Sequence, residues 1–174
     1  MKLFFFSFLI TVFSSYSQIK TEEEKFLLNY VKNEIRTRII YTDKIKPDFV
    51  IESIVDDLNH LKELLRDENW ADKKLPEKII FTKEECKQAL NEILTNNENS
   101  YIENKLPRMR YISSKDLSKR KKYINYWSFS KPVFLRNNSI CIFYSGNLDG
   151  GSFNIYIKSN ESWTYFSSLI EWVR

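Results

Sequence analysis

Hydrophobic and polar residues alternate with a period of two through the last third of the chain, which is the pattern of β-strands. The alternating runs span residues 139–145, 153–158 and 162–166, with a continuation to Trp172. In the middle run Phe153, Ile155 and Ile157 share one face, and polar or tyrosine side chains share the other. Residues 146–151, which hold all three glycines of the chain, and residues 159–161 supply turns. The pattern predicts an antiparallel meander with one buried face that another layer covers.

The first half of the chain has hydrophobic residues at helical spacing instead. Three stretches show this spacing, and they begin near residues 21, 51 and 82. Their apolar stripes are, in order, Leu27, Leu28, Val31, Ile35 and Ile39, then Ile51, Ile54, Val55, Leu58, Leu61 and Leu65, then Cys86, Ala89, Leu90, Ile93 and Leu94. The first helix is predicted to run to about Tyr41. Capping boxes open the first and third helices, at Thr21 with Glu24 and at Thr82 with Glu85.

Helices that precede strands along a chain are typical of the α+β class rather than of alternating α/β folds. We therefore predict about three amino-terminal helices packed on one face of a carboxy-terminal antiparallel sheet of roughly three to five strands. A short strand is expected near residues 109–112, after Pro107. Residues 18–174 are predicted to form a single domain, because their number falls within the size of one domain.

The first 17 residues have the organisation of a signal peptide. Met1 and Lys2 form a short positive region, residues 3–13 are mostly apolar, and residues 14–17 are small or polar. The apolar run is too short for a spanning helix, which needs about 20 residues. We predict cleavage before Gln18 and a mature protein that is secreted or periplasmic, with no membrane attachment after cleavage.

Composition and charge add little about partners. The net charge is +4, and removal of Lys2 with the leader lowers it by one. Aromatic residues make up 16% of the chain, and there are only 3 Gly and 4 Pro, which is typical of a compact fold rather than a disordered chain. The basic cluster at residues 119–122 is interpreted as a solvated helix end or linker, so we expect no nucleic-acid partner.

Common catalytic and metal-binding patterns are absent from the sequence. The only histidine, His60, lies off the apolar stripe of its helix beside Asp56 and Glu63, and we expect it to be a solvated surface residue rather than a general base or ligand. No nucleotide-binding glycine loop, nucleophile elbow or calcium loop occurs. We therefore assign no catalytic residue, no metal and no cofactor, and whether the protein is an enzyme stays open, with the balance against it.

The two cysteines, Cys86 and Cys141, both fall at predicted core positions. Each is either a buried thiol or one half of a disulfide, and an even number of cysteines in an exported protein favours the bridge. We therefore predict that the third helix packs on the strand that holds Cys141, which would bring Cys86 close to it. A bridge of this span would stabilise the fold by about 4 kcal/mol.

Three tyrosines are candidates for a binding surface. Tyr126, Tyr144 and Tyr156 are predicted to stand on the uncovered face of the sheet, where a flat ring with a polar tip suits a sugar or a protein surface. The alternative is that they merely cover strand edges, because tyrosine is a good strand former whatever its function. The hypothesis requires that the three side chains lie together and exposed.

Several carboxy-terminal segments together resemble a recurring pattern that is found in small exported proteins of Bacteroidetes-type bacteria. These proteins have no assigned function. The segments are Phe129–Phe134, Ile140–Tyr144, Gly146–Gly151, Ile155–Lys158 and Trp163. Related sequences carry cysteines around the glycine turn, and this chain has none there. The resemblance implies export and no catalytic residue.

Two functional hypotheses remain. The first is a non-enzymatic exported binding or interaction module whose partner is a protein or a glycan. The second is a secreted hydrolase with a carboxylate-based site. A dry, helix-covered sheet would favour the first, whereas two buried carboxylates with raised pKa values in a cleft would favour the second.

Overall fold

The computed structural model describes most of the chain after the predicted leader. The described residues are 21–35, 39–42, 55–56, 58–60, 63–69, 73–95, 106–113, 116, 119, 126–147 and 149–173, without the side chains of 42 and 170–173. The predicted signal peptide lies outside these residues. No helix within them is both long enough and apolar enough to cross a membrane.

The described residues form two longer helices and nine strands, and residues 55–56 and 58–60 are also helical. The helices are α1 (Glu22–Glu34) and α2 (Lys83–Thr95). The strands are β1 (Ile39–Thr42), β2 (Leu64–Leu65), β3 (Lys78–Ile79), β4 (Met109–Tyr111), β5 (Trp127–Phe129), β6 (Val133–Leu135), β7 (Ile140–Gly146), β8 (Gly150–Ser159) and β9 (Ser162–Val173). The predicted strand near residue 109 and the three carboxy-terminal strands are confirmed.

Helix α1 begins where the sequence predicts and ends earlier. The Thr21 side chain accepts a hydrogen bond from the Glu24 amide, and Glu24 accepts one from the Thr21 amide, so the predicted capping box is present. The helix stops at Glu34 because Ile35 takes an extended conformation (φ −94°, ψ 97°). The β-branched and aromatic run at 39–42 then forms a strand. The predicted continuation to Tyr41 is therefore wrong.

The predicted antiparallel sheet of three to five strands is wrong, because the main sheet has seven strands and is mixed. Its strand order is β4-β1-β5-β7-β8-β9, and β6 also pairs with β7. Strand β1 from the amino-terminal half lies between β4 and β5 and is parallel to both. The other pairs in this sheet are antiparallel. The amino-terminal half thus contributes to the sheet as well as to the helical layer.

The described helices cover both faces of the sheet, whereas the sequence predicts cover on one face. Helix α2 packs on a largely aliphatic face, called here the α2 face, that includes Ile142, Ile155 and Phe166. Helix α1 packs on the opposite, aromatic-rich face, called here the α1 face, where Phe26 contacts Phe143 and other rings. A sheet buried on both sides needs apolar or satisfied polar side chains at every position of its central strands, and β7 is buried throughout.

The second predicted helix is only partly helical. Leu58 is buried as its stripe predicts, but Leu64 and Leu65 form strand β2, which pairs with β3. Leu65 is exposed, so its place in the helical stripe is wrong. Just after β2, the Asp67 amide donates a 2.9 Å hydrogen bond to the carbonyl of Phe166, which places this segment along the outer edge of β9.

Helix α2 keeps its predicted cap and most of its predicted stripe. Thr82 and Glu85 form the reciprocal hydrogen bonds of a capping box at 2.9 and 3.1 Å. Cys86, Ala89 and Ile93 are buried as predicted. Leu94, at the end of the stripe, is exposed.

Candidate functional site

A cleft of about 810 Å³ opens on the α1 face. It lies between the carboxy-terminal half of α1 and strands β5, β7, β8 and β9. Its described lining includes aromatic, hydroxyl, amide and carboxylate side chains. The aromatic residues in it are Tyr30, Trp127, Tyr156, Trp163 and Tyr165. Its size is that of a small-molecule site in an ordinary protein.

A row of hydrogen-bonded polar side chains runs along this part of the sheet, and we call it the polar seam. Its members are Tyr30, Ser145, Asn154, Ser152, Ser168 and Tyr165. The Asn154 oxygen accepts from the hydroxyls of Ser152 and Ser168, each at 2.9 Å. The Asn154 amide nitrogen donates to Ser145 Oγ at 3.3 Å, and Ser145 is hydrogen-bonded to Tyr30. Asn154 is therefore the centre of the polar seam.

The direction of each hydrogen bond in the polar seam follows from one backbone carbonyl. Asn154 Nδ2 lies 3.4 Å from the carbonyl oxygen of Ser152, which can only accept, and this contact orients the amide. The hydroxyl of Ser168 then donates its single hydrogen to Asn154 Oδ1. Tyr165, whose hydroxyl is 2.8 Å from Ser168 Oγ, must therefore be the donor in that pair. In any further hydrogen bond, the hydroxyl oxygens of Ser168 and Tyr165 therefore act as acceptors.

The buried phenols of the cleft remain protonated. Burial raises the pKa of Tyr30 and of Tyr156 far above the ordinary phenol value of about 10. The nearby Glu34 carboxylate raises both further, and the hydrogen bond from Ser145 offsets part of the effect at Tyr30. These groups can hold a ligand by neutral hydrogen bonds, but they cannot act as bases near neutral pH.

An irregularity in the β8–β9 pairing creates the outer half of the polar seam. The register shifts between Ile155 and Tyr156, and it shifts again between Phe153 and Asn154, beyond Ser168. Tyr165 and Ser168 are three positions apart, so in a regular strand they would face opposite sides. The first shift lies between their pairing partners and brings both onto the α1 face, where Ser168 reaches Asn154.

The charges in the described lining of the cleft are all negative. Glu34, Asp67 and Asp149 line it, and no Lys, Arg or His is among its described lining residues. Glu34 and Asp149 are exposed and Asp67 is partly exposed, so none of these three carboxylates is buried. A glycosidase-type general acid depends on burial to raise its pKa, and this arrangement does not provide it.

The indole of Trp163 is a buried donor in the lining. Trp163 is 4% exposed, and its indole Nε1 has no hydrogen-bond acceptor among the described residues. The ring is held by Phe26 and Phe134, with the ammonium group of Lys158 5.9 Å from its centre. The ring therefore contributes to the cleft as an aromatic wall.

The predicted tyrosine patch is wrong. Tyr144 is 3% exposed and Tyr156 is 4% exposed, and the two belong to opposite faces of the sheet. Tyr126 is partly buried and precedes β5. Tyr156 does line the cleft, but as part of its wall under α1 and not as part of an exposed surface. The error arose because the face that carries Tyr156 is covered by α1.

The predicted proximity of Cys86 and Cys141 is also wrong, and neither cysteine is part of a disulfide. Cys86 belongs to the core between α2 and the sheet, whereas Cys141 points to the α1 face. The predicted packing of α2 on the sheet is present, but on the face opposite to the Cys141 side chain. A disulfide needs Cα atoms within about 7 Å and converging side chains, which opposite sheet faces do not offer.

His60 is exposed, as the sequence predicts. Its Nδ1 lies 2.9 Å from the carbonyl oxygen and 3.2 Å from the carboxylate of Asp56. Of the predicted basic cluster only Lys119 is described, and it is exposed and pairs with Asp116 at 3.5 Å. In the described part of the chain no group of three or more His, Cys, Asp or Glu side chains could hold a metal ion.

Sequence reasoning missed the polar seam. Ser152, Asn154 and Ser168 have the composition of a solvent-facing side of a strand, and the alternation in β8 predicts such a side. The only local signal was that tyrosines and a tryptophan are interspersed with these polar residues, and that signal fits an exposed sheet face equally well.

Comparisons with protein-family models, with curated proteins and with solved structures each found no match for this chain. Function is therefore inferred from the chemistry of the cleft.

Proposed function

We propose that the protein is a non-enzymatic, exported binding module that takes a sugar ring of a glycan into the cleft. The observation that supports this most directly is the combination of the polar seam with aromatic side chains in a single cleft of about 810 Å³. A sugar ring presents hydroxyl groups at its edge and an apolar face of C–H groups. Serine, asparagine and tyrosine bind the former, and tryptophan and tyrosine pack on the latter.

Binding is favoured over hydrolysis by the state of the ionisable groups. The carboxylates of the described lining are not buried, and the phenols stay protonated. Hydrolysis of a glycosidic bond requires a protonated acid and an ionised partner held on either side of the bond. Neutral hydroxyl and amide groups in a row can instead recognise a ligand without acting on it.

A glycan is favoured over a protein partner by the shape of the site. A protein interface buries roughly 800 Å² of each partner on a broad surface. The cleft is instead a concave site of small-molecule size, with polar and aromatic side chains in its lining. The leader-like residues 1–17 support the exported location, and recovery of a mature protein that begins near Gln18 would test it.

The test is a titration of the protein with a panel of neutral and charged oligosaccharides, followed by calorimetry. Trp127 lines the cleft, is partly buried and stacks on Phe129 (6.3 Å between ring centres). We expect at least one oligosaccharide to bind and Trp127→Ala to weaken that binding by roughly 3- to 10-fold, which corresponds to the loss of one aromatic contact.

Tyr111→Ala is the matched control, since Tyr111 is an exposed aromatic residue that does not line the cleft. It should bind with the affinity of the unaltered protein. Thermal unfolding of both variants verifies that they are folded. The proposal is overturned if no oligosaccharide in the panel binds, or if Trp127→Ala and Tyr111→Ala bind equally well.

A further inference from the structure

We infer that the sugar carries a free, positively charged amino group, so that the preferred ligand is an amino sugar. This rests on the proposed function and names the chemical class of the ligand. Two independent features support it: the hydrogen-bonding direction of the polar seam and the charge of the cleft.

The hydroxyl hydrogens of this part of the polar seam are already donated within it, so a ligand that binds these hydroxyls must supply the hydrogen-bond donors. The hydroxyls of Ser152 and Ser168 both donate to Asn154 Oδ1, and the hydroxyl of Tyr165 donates to Ser168. Of these residues Ser152 and Tyr165 line the cleft, and their hydroxyl oxygens can make a further hydrogen bond only as acceptors. An ammonium group brings three donors and no acceptor, which matches such a surface better than any other common substituent of a sugar.

The charge of the cleft also favours a ligand with a positively charged group. The protein as a whole has a net charge of +4, yet Glu34, Asp67 and Asp149 are the charged side chains of the described lining. A cation is therefore attracted locally, although the chain as a whole repels it. An anionic sugar would meet the carboxylates of Asp67 and Asp149 and no Lys, Arg or His side chain among the described lining residues.

Two described cations that contact lining residues of the cleft are already engaged. Lys158, beside the Trp163 ring, pairs with Glu22 at 2.8 Å and with Glu161 at 3.7 Å. Arg108 donates a 3.2 Å hydrogen bond to the carbonyl oxygen of Ile35 at the end of α1. These contacts hold both side chains in place. The two cations offset part of the negative charge of the cleft, but they do not form a binding site for an anion.

A simple amine would not satisfy the whole cleft. The tryptophan and tyrosine rings of the lining favour a flat apolar face. The sugar ring provides that face. An amino sugar combines it with the ammonium group.

The experiment uses three tetrasaccharides with the same β-1,4-linked backbone that differ only at C2. They are a glucosamine tetramer, its fully N-acetylated form and a glucose tetramer, measured by calorimetry at a pH at which the amino groups are protonated. We expect the glucosamine tetramer to bind roughly tenfold more tightly than the other two at low ionic strength. The difference should shrink at high salt, because salt screens partly exposed charges.

Charge-neutralising variants locate the effect. In the double variant Asp67→Asn with Asp149→Asn, the preference for the glucosamine tetramer should fall several-fold, because the affinity for this tetramer should fall more than the affinity for the glucose tetramer. The control is Glu77→Gln with Glu84→Gln, which removes two exposed carboxylates outside the cleft. The control should keep the full preference.

The outcomes separate the inference from the proposed function. If the glucose tetramer binds as tightly as the glucosamine tetramer, the amino-sugar inference is overturned and glycan binding stands. If the control double variant loses the preference as much as the cleft variant does, the attraction is not local to the cleft, and the inference fails as well. If none of the three tetramers nor any other oligosaccharide binds, the proposed function itself is wrong.

Discussion

At the scale of single residues, two glycines that face each other across β7 and β8 make room for one tyrosine ring. Gly146 pairs with Gly151, and neither has a positive φ, so the need for glycine is one of space. A Cβ atom at either position would overlap the hydroxyl of Tyr144. The Tyr144 ring, buried on the α2 face, therefore reaches over this end of the β7–β8 pair.

We predict that Gly151→Ala destabilises the protein by about 1–3 kcal/mol, the usual effect of overpacking a close contact. The free energy of unfolding in urea measures the effect. In a Tyr144→Leu background, which removes the far end of the ring, the added cost of Gly151→Ala should be much smaller. An equal cost in both backgrounds would show that Tyr144 is not what requires the glycine.

Asn154 illustrates why a buried polar residue points to function. Asn154 is 7% exposed. An apolar side chain at this position of the sheet would pack without needing any hydrogen-bond partner. The surrounding hydroxyls satisfy the Asn154 amide, at the expense of placing several polar groups in the interior. Retaining such a group is expected where it positions the polar seam for a ligand.

At the scale of elements, the β6–β7 turn holds the amino-terminal end of α2. Arg136, Asn137 and Asn138 all have positive φ values, which turn the chain so that the Arg136 guanidinium reaches α2. There it donates to the Glu85 carboxylate, and it also donates to the carbonyl of Ile80 at 2.6 Å. The hydrogen bond from Arg136 lowers the pKa of Glu85, with further lowering from the Thr82 cap.

This lowered pKa gives a pH dependence of known sign. The ionised Glu85 carboxylate stabilises the fold above its unfolded pKa of about 4.3, and the contribution is lost as the pH falls through the lower folded value. We predict that Glu85→Gln, which keeps a capping acceptor, lowers the free energy of unfolding at neutral pH by about 1 kcal/mol or less. The difference from the unaltered protein should vanish in acid.

Denaturant unfolding at several pH values measures this difference. Glu84→Gln is the matched control, because Glu84 is exposed in the same helical turn and makes no hydrogen bond to Arg136. Its effect at neutral pH should be smaller than that of Glu85→Gln, because it removes a charge near the helix end but no hydrogen bond to Arg136. A Glu85→Gln effect that stayed constant down to strong acid would contradict the role assigned to this ion pair.

At the scale of the whole molecule, the sheet separates two cores of different chemistry. The α2 face is mainly aliphatic, and the α1 face holds most of the stacked and edge-to-face aromatic contacts. Phe26 alone makes such contacts with Phe143, Tyr156 and Trp163. The aromatic content of 16% is therefore concentrated largely where α1 and the cleft are.

The two-sided core predicts the state of the cysteines. Because Cys86 and Cys141 face opposite sides, both should be alkylated when the protein is denatured without a reductant. In the native protein Cys141 should resist alkylation, since it is fully buried and burial raises its pKa. Mass spectrometry of the alkylated protein measures both, and a disulfide in the non-reduced, denatured sample would refute this arrangement of the two cores.

The sequence by itself determined the features that depend on neighbouring residues. Both capping boxes, the core stripe of α2, the strand near Met109 and the three carboxy-terminal strands follow from spacings of two to four residues, and the structure confirms them. The alternation of faces in β8 is likewise confirmed. These features are local, because side-chain periodicity and capping hydrogen bonds are set within one or two turns of chain.

Tertiary structure decided what each face meets. The pattern in β8 assigns Asn154 and Tyr156 to one side, but only the packing of α1 shows that this side is interior. The parallel pairing of β1 with β4 and β5, the bulges in β9 and the cleft depend on segments far apart in sequence. No short-range pattern encodes such contacts, since their partners are selected by the burial that the whole chain achieves when it folds.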